Sequence, residues 1–78
     1  MTATALRVRA RLRLRHDLPV PAERRAIRKA AGLSQGELAE AIGVTRQAVS
    51  HWEAGTRTPK GDLLDRYVSA IRTMRSAA

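Results

Sequence analysis

The chain has 78 residues and a formal net charge of +8, from 15 Lys and Arg residues against seven Asp and Glu residues. A chain of this length forms one small domain with a modest core, which leaves no room for a separate ligand-sensing domain. Cysteine is absent and the two histidines are far apart, so we expect no disulfide, no metal site, no cofactor and no small-molecule ligand. The positive charge favours a polyanionic partner.

The first 18 residues form a basic segment in which arginines alternate with aliphatic residues. The arginines are Arg7, Arg9, Arg11, Arg13 and Arg15. This period of two places every arginine on one face of a strand, whereas a helix would scatter them around its circumference. We therefore predict a basic β-strand in residues 1–18, paired with the same segment of a second copy in an antiparallel dimer ribbon. The alternative is a disordered basic arm, and in either form the arginines can meet DNA phosphates.

A stiff linker with two prolines, Leu18 to Pro21, separates this arm from a first helix predicted over Ala22 to Ala31. Ile27 on this helix is expected to point inward, and Gly32 ends it. Its outward face is predicted to be a solvated charged surface made of Arg24, Arg25 and Lys29, and contact with DNA is the alternative for Arg24 and Arg25.

The next helix carries its own start and stop signals. Ser34 and Glu37 have the spacing of a capping box, which predicts a helix from Gln35 to Ile42. Gly43 follows at the point where a left-handed residue is needed to end that helix.

Another helix follows at once, since Thr45 can cap a segment that begins at Arg46 and stops at Gly55. Two short capped helices joined by a glycine turn form a helix-turn-helix, whose second helix enters the major groove of DNA. We therefore treat residues 19–78 as a helix-turn-helix domain and residues 1–18 as its arm.

The second helix of the motif has polar side chains on its outer face, where they do not contribute to the core. Arg suits bidentate pairing with guanine and Gln suits adenine, each worth roughly 1–3 kcal/mol of discrimination, and His can donate to a purine N7 or a phosphate. For His51 and Ser50 a plain solvated role is the alternative. The predicted base contacts are Arg46, Gln47, His51 and Ser50.

After the motif, Thr58 and Pro59 are placed to begin a final helix. Its wide apolar stripe consists of Leu63, Leu64, Tyr67, Val68, Ile71 and Met74. We expect the part from Val68 to Met74 to exceed what a small bundle can cover, which makes it the second candidate dimer surface.

Several of these residues occur at fixed offsets that resemble the Cro/C1-type (XRE-like) helix-turn-helix regulators of phages and bacteria. The resemblance covers roughly Glu23 to Ile71. It implies a mainly α, compact, lambda-repressor-like bundle of four or five helices that binds an operator as a dimer. The residues that carry it are Gln35, Ala39, Gly43, Val44, Thr45, Val49, Trp52, Glu53, Gly55 and Pro59.

The same resemblance implies roles for individual residues. It implies an architectural ion pair between Arg28 and Glu53, which neutralises a carboxylate close to DNA. The expected phosphate contacts are Gln35, Thr45, Arg57 and Lys60. The sequence departs from the family in its final helix, which is longer than usual and has no further helix after it, so the family's dimer mode does not carry over.

The expected function is sequence-specific binding of double-stranded DNA, as a Cro-like repressor that occupies a pseudo-palindromic operator as a homodimer. No apolar run reaches the length of about 20 residues needed for a membrane span and no signal peptide is present, so we expect a cytoplasmic, nucleoid-associated protein of a bacterial host. We expect no enzymatic activity, because Ser50 and His51 point about 100° apart on a helix. The alternatives are a protein-interaction module, such as an antitoxin or a phage accessory factor, and a non-specific nucleic-acid binder.

Overall fold

The computed structural model describes residues 2–77, which form five helices and, over that range, no strand. The helices are α1 (Ala3–His16), α2 (Pro21–Ala30), α3 (Gln35–Ile42), α4 (Arg46–Ala54) and α5 (Asp62–Ala77). The architecture is mainly α, as predicted. Across residues 2–77, none of the helices combines the length and the apolar character that crossing a bilayer requires.

The predicted N-terminal strand is wrong, because the arm folds as α1. Thr2 caps this helix by accepting a hydrogen bond from the backbone N–H of Ala5 at 3.0 Å. Leu, Ala and Arg all have high helix propensity, and a helix satisfies its backbone within the segment, whereas a strand would need a partner. Basic residues in the last turn also suit the negative end of the helix dipole. The dimer ribbon that was predicted from the strand is therefore withdrawn.

The core lies between α3, α4 and α5. The ring of Trp52 packs against that of Tyr67, with their centroids 4.7 Å apart. The half-buried Leu18, in the linker after α1, packs on the edge of this cluster, as does Ile27 of α2. The buried members of the cluster are Leu38, Ala39, Ile42, Val49, Trp52, Tyr67, Ile71 and Met74.

The inner face of α2 contains charged residues, which corrects the prediction that Arg24 is solvated. Arg24 is only 5% exposed, and its guanidinium lies 5.6 Å from the centroid of the Tyr67 ring. The long aliphatic stem of arginine can pack like an apolar side chain, and the aromatic face attracts its charge. Arg28, one turn later, is also buried.

The final helix differs from its prediction in where it begins and in how much of it is buried. It begins at Asp62 and not at Thr58, because Gly61 adopts a left-handed φ of 56° and interrupts the chain between Pro59 and the helix. The segment from Val68 to Met74 does not exceed what the bundle covers, since Val68, Ile71 and Met74 are at most 4% exposed. This apolar segment is core, and the second candidate dimer surface is therefore also withdrawn.

Candidate nucleic-acid interface

The turn between α3 and α4 is built from the capping residues that the sequence indicated. Ser34 accepts from the Glu37 backbone N–H while the Glu37 carboxylate accepts from the Ser34 N–H, both at 3.0 Å. Gly43 ends α3 with a φ of 91°, a conformation that a Cβ atom would strain. Thr45 then caps α4 by accepting from the Ala48 N–H at 3.2 Å. Both helices begin and end at the predicted residues, so α4 has a fixed direction.

The outer face of α4 holds the predicted base contacts around Gln47. At about 100° per residue, Ser50 lies on one side of Gln47 and His51 on the other, while Val49 and Trp52 point into the core. A shallow groove beside the helix is lined by Thr45, Gln47, Ala48, His51 and Arg57. The structure thus brings Gln47, His51 and Arg57 together on one surface.

The His51 ring is held by a neighbouring hydroxyl. Its Nδ1 lies 3.1 Å from Thr56 Oγ1, and Thr56 Oγ1 is also 3.2 Å from the His51 carbonyl oxygen. Because Thr56 engages Nδ1, Nε2 is the ring nitrogen that can meet a base or a phosphate. Thr56 was not singled out from the sequence, since no spacing rule marks a hydroxyl just after a helix stop as a partner of the last turn.

Arg28 and Glu53 come together beneath this surface. Arg28 Nε donates to Glu53 Oε2 at 2.6 Å and Nη2 donates to Oε1 at 2.9 Å, which is the bidentate arrangement of a guanidinium and a carboxylate. Their side chains are 8% and 3% exposed. A third bond, from Arg28 Nη1 to the Leu33 carbonyl oxygen at 2.8 Å, fixes the loop before α3. The pair therefore ties α2, α4 and the start of α3 to one another.

Ionisation of the pair follows from these bonds. Burial disfavours the charged form of Glu53, but hydrogen bonds from Arg28 and Gln35 and the Arg28 charge outweigh it and hold the pKa of Glu53 below its ordinary value. The hydrogen bond with Glu53 in turn raises the pKa of Arg28. Glu53 is thus neutralised by a cation within the protein, and its charge is not directed at DNA.

Gln35 connects the buried pair to the exposed helix start. Its Nε2 donates to Glu53 Oε1 at 3.2 Å, and its Oε1 accepts from Arg46 Nη1 at 3.4 Å. Gln35 is half-buried, whereas Arg46 is exposed. The side chain of Gln35 is therefore engaged on both sides, and its amide orients the guanidinium of Arg46 at the first residue of α4.

Arg25 lies at the same edge, and the sequence favoured a solvated role for it, with contact to DNA as the alternative. Together with Gln35, Ser50, Glu53 and Ala54 it lines a second groove, on the side of α4 opposite to His51. Arg25 also contributes to the lowered pKa of Glu53. The available signal was its position one turn before Arg28, which places both residues on neighbouring parts of α2.

The remaining predicted contacts lie along the loop after α4. Arg57 and Lys60 are both exposed. Lys60 lines a groove with Arg15, Leu18, Thr58, Pro59 and Leu64, so the C-terminal end of α1 adjoins this loop. The other arm arginines lie farther along α1, and all five are exposed.

Comparison with known proteins agrees with this geometry. Residues 25–73 match the family model described as Helix-turn-helix, a span that includes most of α2, all of α3 and α4, and most of α5. The chain belongs to this family, the Cro/C1-type (XRE-like) helix-turn-helix regulators, which are DNA-binding proteins. A search of curated proteins and a search of solved structures each gave no match.

Proposed function

We propose that this protein is a transcriptional regulator that recognises a specific sequence in double-stranded DNA with the outer face of α4. The observation that carries the proposal is the arrangement of Arg46, Gln47 and His51 on an exposed helix start whose orientation is fixed by two caps and a buried ion pair. Rigid placement matters because a bidentate contact to a base edge tolerates little displacement.

Each base reader has a distinct chemistry in this proposal. Gln47, at the centre of the face, pairs with adenine N6 and N7, and Arg46 pairs with guanine O6 and N7 after leaving its long bond to Gln35. His51 meets a base or a phosphate through Nε2, because Nδ1 donates to Thr56 Oγ1, whose own hydrogen goes to the His51 carbonyl oxygen. With its single proton on Nδ1 the ring accepts at Nε2 from a base amino group, and only the doubly protonated ring donates there to a purine N7 or a phosphate. Ser50, half-buried on the opposite side, adds at most one hydrogen bond to a base.

Backbone contacts set the register of α4 in the groove. In this proposal Arg57 and Lys60 bind phosphates on the His51 side, and the Thr45 hydroxyl donates to a phosphate while it continues to cap α4. Gln35 has one amide hydrogen left after its bond to Glu53, which serves the same purpose. We add Arg25, whose guanidinium lies beside Gln35 at the edge of the surface.

The regulatory part of the proposal is that the protein acts as a repressor in the manner of phage Cro proteins. It would bind a pseudo-palindromic operator as a homodimer, with half-sites about one helical turn apart, and block transcription by occupancy in the bacterial cytoplasm. The family to which the chain belongs supports DNA binding, and dimerisation and repression are inferred by analogy with it.

Selection of bound sequences from a random duplex pool tests this proposal. We expect enrichment of one symmetric site, bound at least roughly a thousandfold more tightly than random duplex. Arg46→Ala and Gln47→Ala should each relax the preference at one base pair per half-site, while Glu40→Ala, which changes an exposed residue of α3, should not. A ratio near one with a steep salt dependence would instead indicate a non-specific binder, and no tight binding to any duplex would indicate a protein-docking module.

A further inference from the structure

Helix α1 has a charge pattern that its own chain does not neutralise. Residues 3–16 contain five arginines and no acidic residue, and within the described residues only Arg11 of these five has an ion-pair partner. Arginines recur four residues apart, and like charges at that spacing repel. A helix of 14 residues is only marginally stable alone in water, so a partner with dense negative charge would stabilise α1.

Contrary to the expectation from the sequence, the helical geometry does not scatter the arginines around the circumference but groups them in two stripes. At about 100° per residue, Arg7 and Arg15 each lie within about 40° of Arg11, whereas Arg9 and Arg13 lie about 160° away from it on the opposite side. We call the group of Arg7, Arg11 and Arg15 the near stripe, and the group of Arg9 and Arg13 the far stripe.

Contacts with α5 fix which stripe faces the rest of the protein. Arg11 Nη1 donates to Asp65 Oδ1 at 3.0 Å and lies 3.4 Å from the Gly61 carbonyl oxygen. One turn later, Arg15 shares a groove with Lys60 and Pro59. Arg11 and Arg15 therefore lie beside the loop that joins α4 to α5, and Arg7 continues the same stripe one turn before Arg11.

That loop links the near stripe to the surface that reads bases. Arg57, at its start, lines one groove with Gln47 and His51, and Lys60, near its end, lines the other groove with Arg15. Basic side chains thus continue from the outer face of α4, along the loop, to the side of α1. Since Arg57 and Lys60 are three residues apart in this loop, the groove at Gln47 and the groove at Arg15 are joined by one short basic segment.

We propose that Arg7 and Arg15, the near-stripe arginines that have no ion-pair partner among the described residues, bind phosphates of the duplex just outside the site read by α4. The inference rests on the proposed DNA-binding function and adds to it a second backbone contact made by a helix that lies before the matched residues 25–73. A second copy of α1 is a poor occupant, since it would set arginine against arginine. A bilayer is also a poor occupant, because the exposed Leu6 lies about 160° from Val8 and about 120° from Leu12 around the helix, so these three residues form no single apolar face.

Paired variants with equal charge test the assignment. One is Arg7→Gln with Arg15→Gln, and its control is Arg9→Gln with Arg13→Gln; Arg11 is left in place because it holds α1 on α5. Each is titrated with a duplex carrying the selected site and with the same site extended by about one helical turn on both sides. We expect wild type and the control to gain affinity from the extension, and the near-stripe variant to lose most of that gain.

The salt dependence gives a second readout. Loss of two phosphate contacts lowers the slope of log affinity against log salt by about 1.8, so between 50 and 200 mM salt wild type should lose roughly tenfold more affinity than the near-stripe variant. Ala10→Pro keeps every arginine but breaks α1. It should also abolish the gain from the extension, which a disordered basic tail would retain.

The outcomes separate this inference from the proposed function. Equal losses in the two paired variants would show that total charge matters and not the stripe, and would overturn the inference. If the extended duplex binds wild type no more tightly than the short duplex, the inference is also overturned. Selective binding of wild type to the short duplex would then still support the proposed function. If wild type prefers no sequence on either duplex, the proposed function itself fails. Circular dichroism of each variant checks that the bundle is folded.

Discussion

Removal of Arg28 should destabilise the fold far more than removal of an ordinary surface charge. In Arg28→Met the Glu53 carboxylate, whose side chain is 3% exposed, loses both bonds from its guanidinium partner, and the Leu33 carbonyl oxygen loses a donor. Breaking a buried pair from one side costs about 3–5 kcal/mol. A 78-residue domain has a total of only about 4–12 kcal/mol at the usual stability per residue, so the variant should lose at least about a quarter of its free energy of unfolding.

Urea denaturation followed by the fluorescence of Trp52, which is buried in the core, measures this loss directly. Arg75→Met is the matched control, because Arg75 pairs with Glu23 at the surface, where both side chains are about half exposed, and should cost under about 1 kcal/mol. Replacing both partners, Arg28→Met with Glu53→Leu, should recover most of the stability, since no unpaired charge stays buried. A loss from Arg28→Met no larger than that of the control would refute the reasoning.

Two further predictions concern pH and backbone geometry. The pKa of folded Glu53 lies below its unfolded value, so the contribution of Glu53 to stability is fully present above the unfolded pKa of about 4.3 and is lost as pH falls through the folded pKa. When the free energy of unfolding is measured against pH, its slope below pH 5 should therefore be shallower in Glu53→Gln than in wild type. A slope in Glu53→Gln as steep as that of Glu40→Gln would contradict this. Gly43→Ala should cost about 1–2 kcal/mol in urea denaturation, because alanine is strained at a φ of 91°, and a neutral effect would show that the turn relaxes.

The central motif was predictable because its signals are local. Capping residues and glycine stops act over a few residues, so the limits of α3 and α4 follow from Ser34, Gly43, Thr45 and Gly55. The same locality explains why the inward placement of Trp52 could be read from helical spacing alone.

The failures had two causes. The period-two pattern of residues 1–18 suggested a strand, but a strand needs a partner, and the helix propensity of Leu, Ala and Arg with the Thr2 cap favours a helix, which Arg11 also bonds to Asp65, 54 residues away. Arg24 was placed in solvent by residue type, whereas the Tyr67 ring provides a buried site for it. Neither contact can be predicted from the spacing of residue types along the chain.

Only part of the candidate site could be predicted from the sequence. The outer face of α4 follows from helical geometry, so Gln47 could be assigned to it in advance. The two hydrogen bonds of the Gln35 side chain, to Glu53 and from Arg46, depend on how the helices pack and could not be predicted from the sequence. Nor could the contact between α1 and the loop after α4, which became visible only once the arm was known to be a helix.

The most direct test of base reading by α4 is a change of specificity. Sequences selected from a random duplex pool by Gln47→Arg should differ from those selected by wild type at one position per half-site, with guanine in place of adenine, because arginine pairs with guanine O6 and N7. The other positions should stay the same. Identical selected sequences for the two proteins would contradict the claim that the residue at the centre of the outer face of α4 contacts a base.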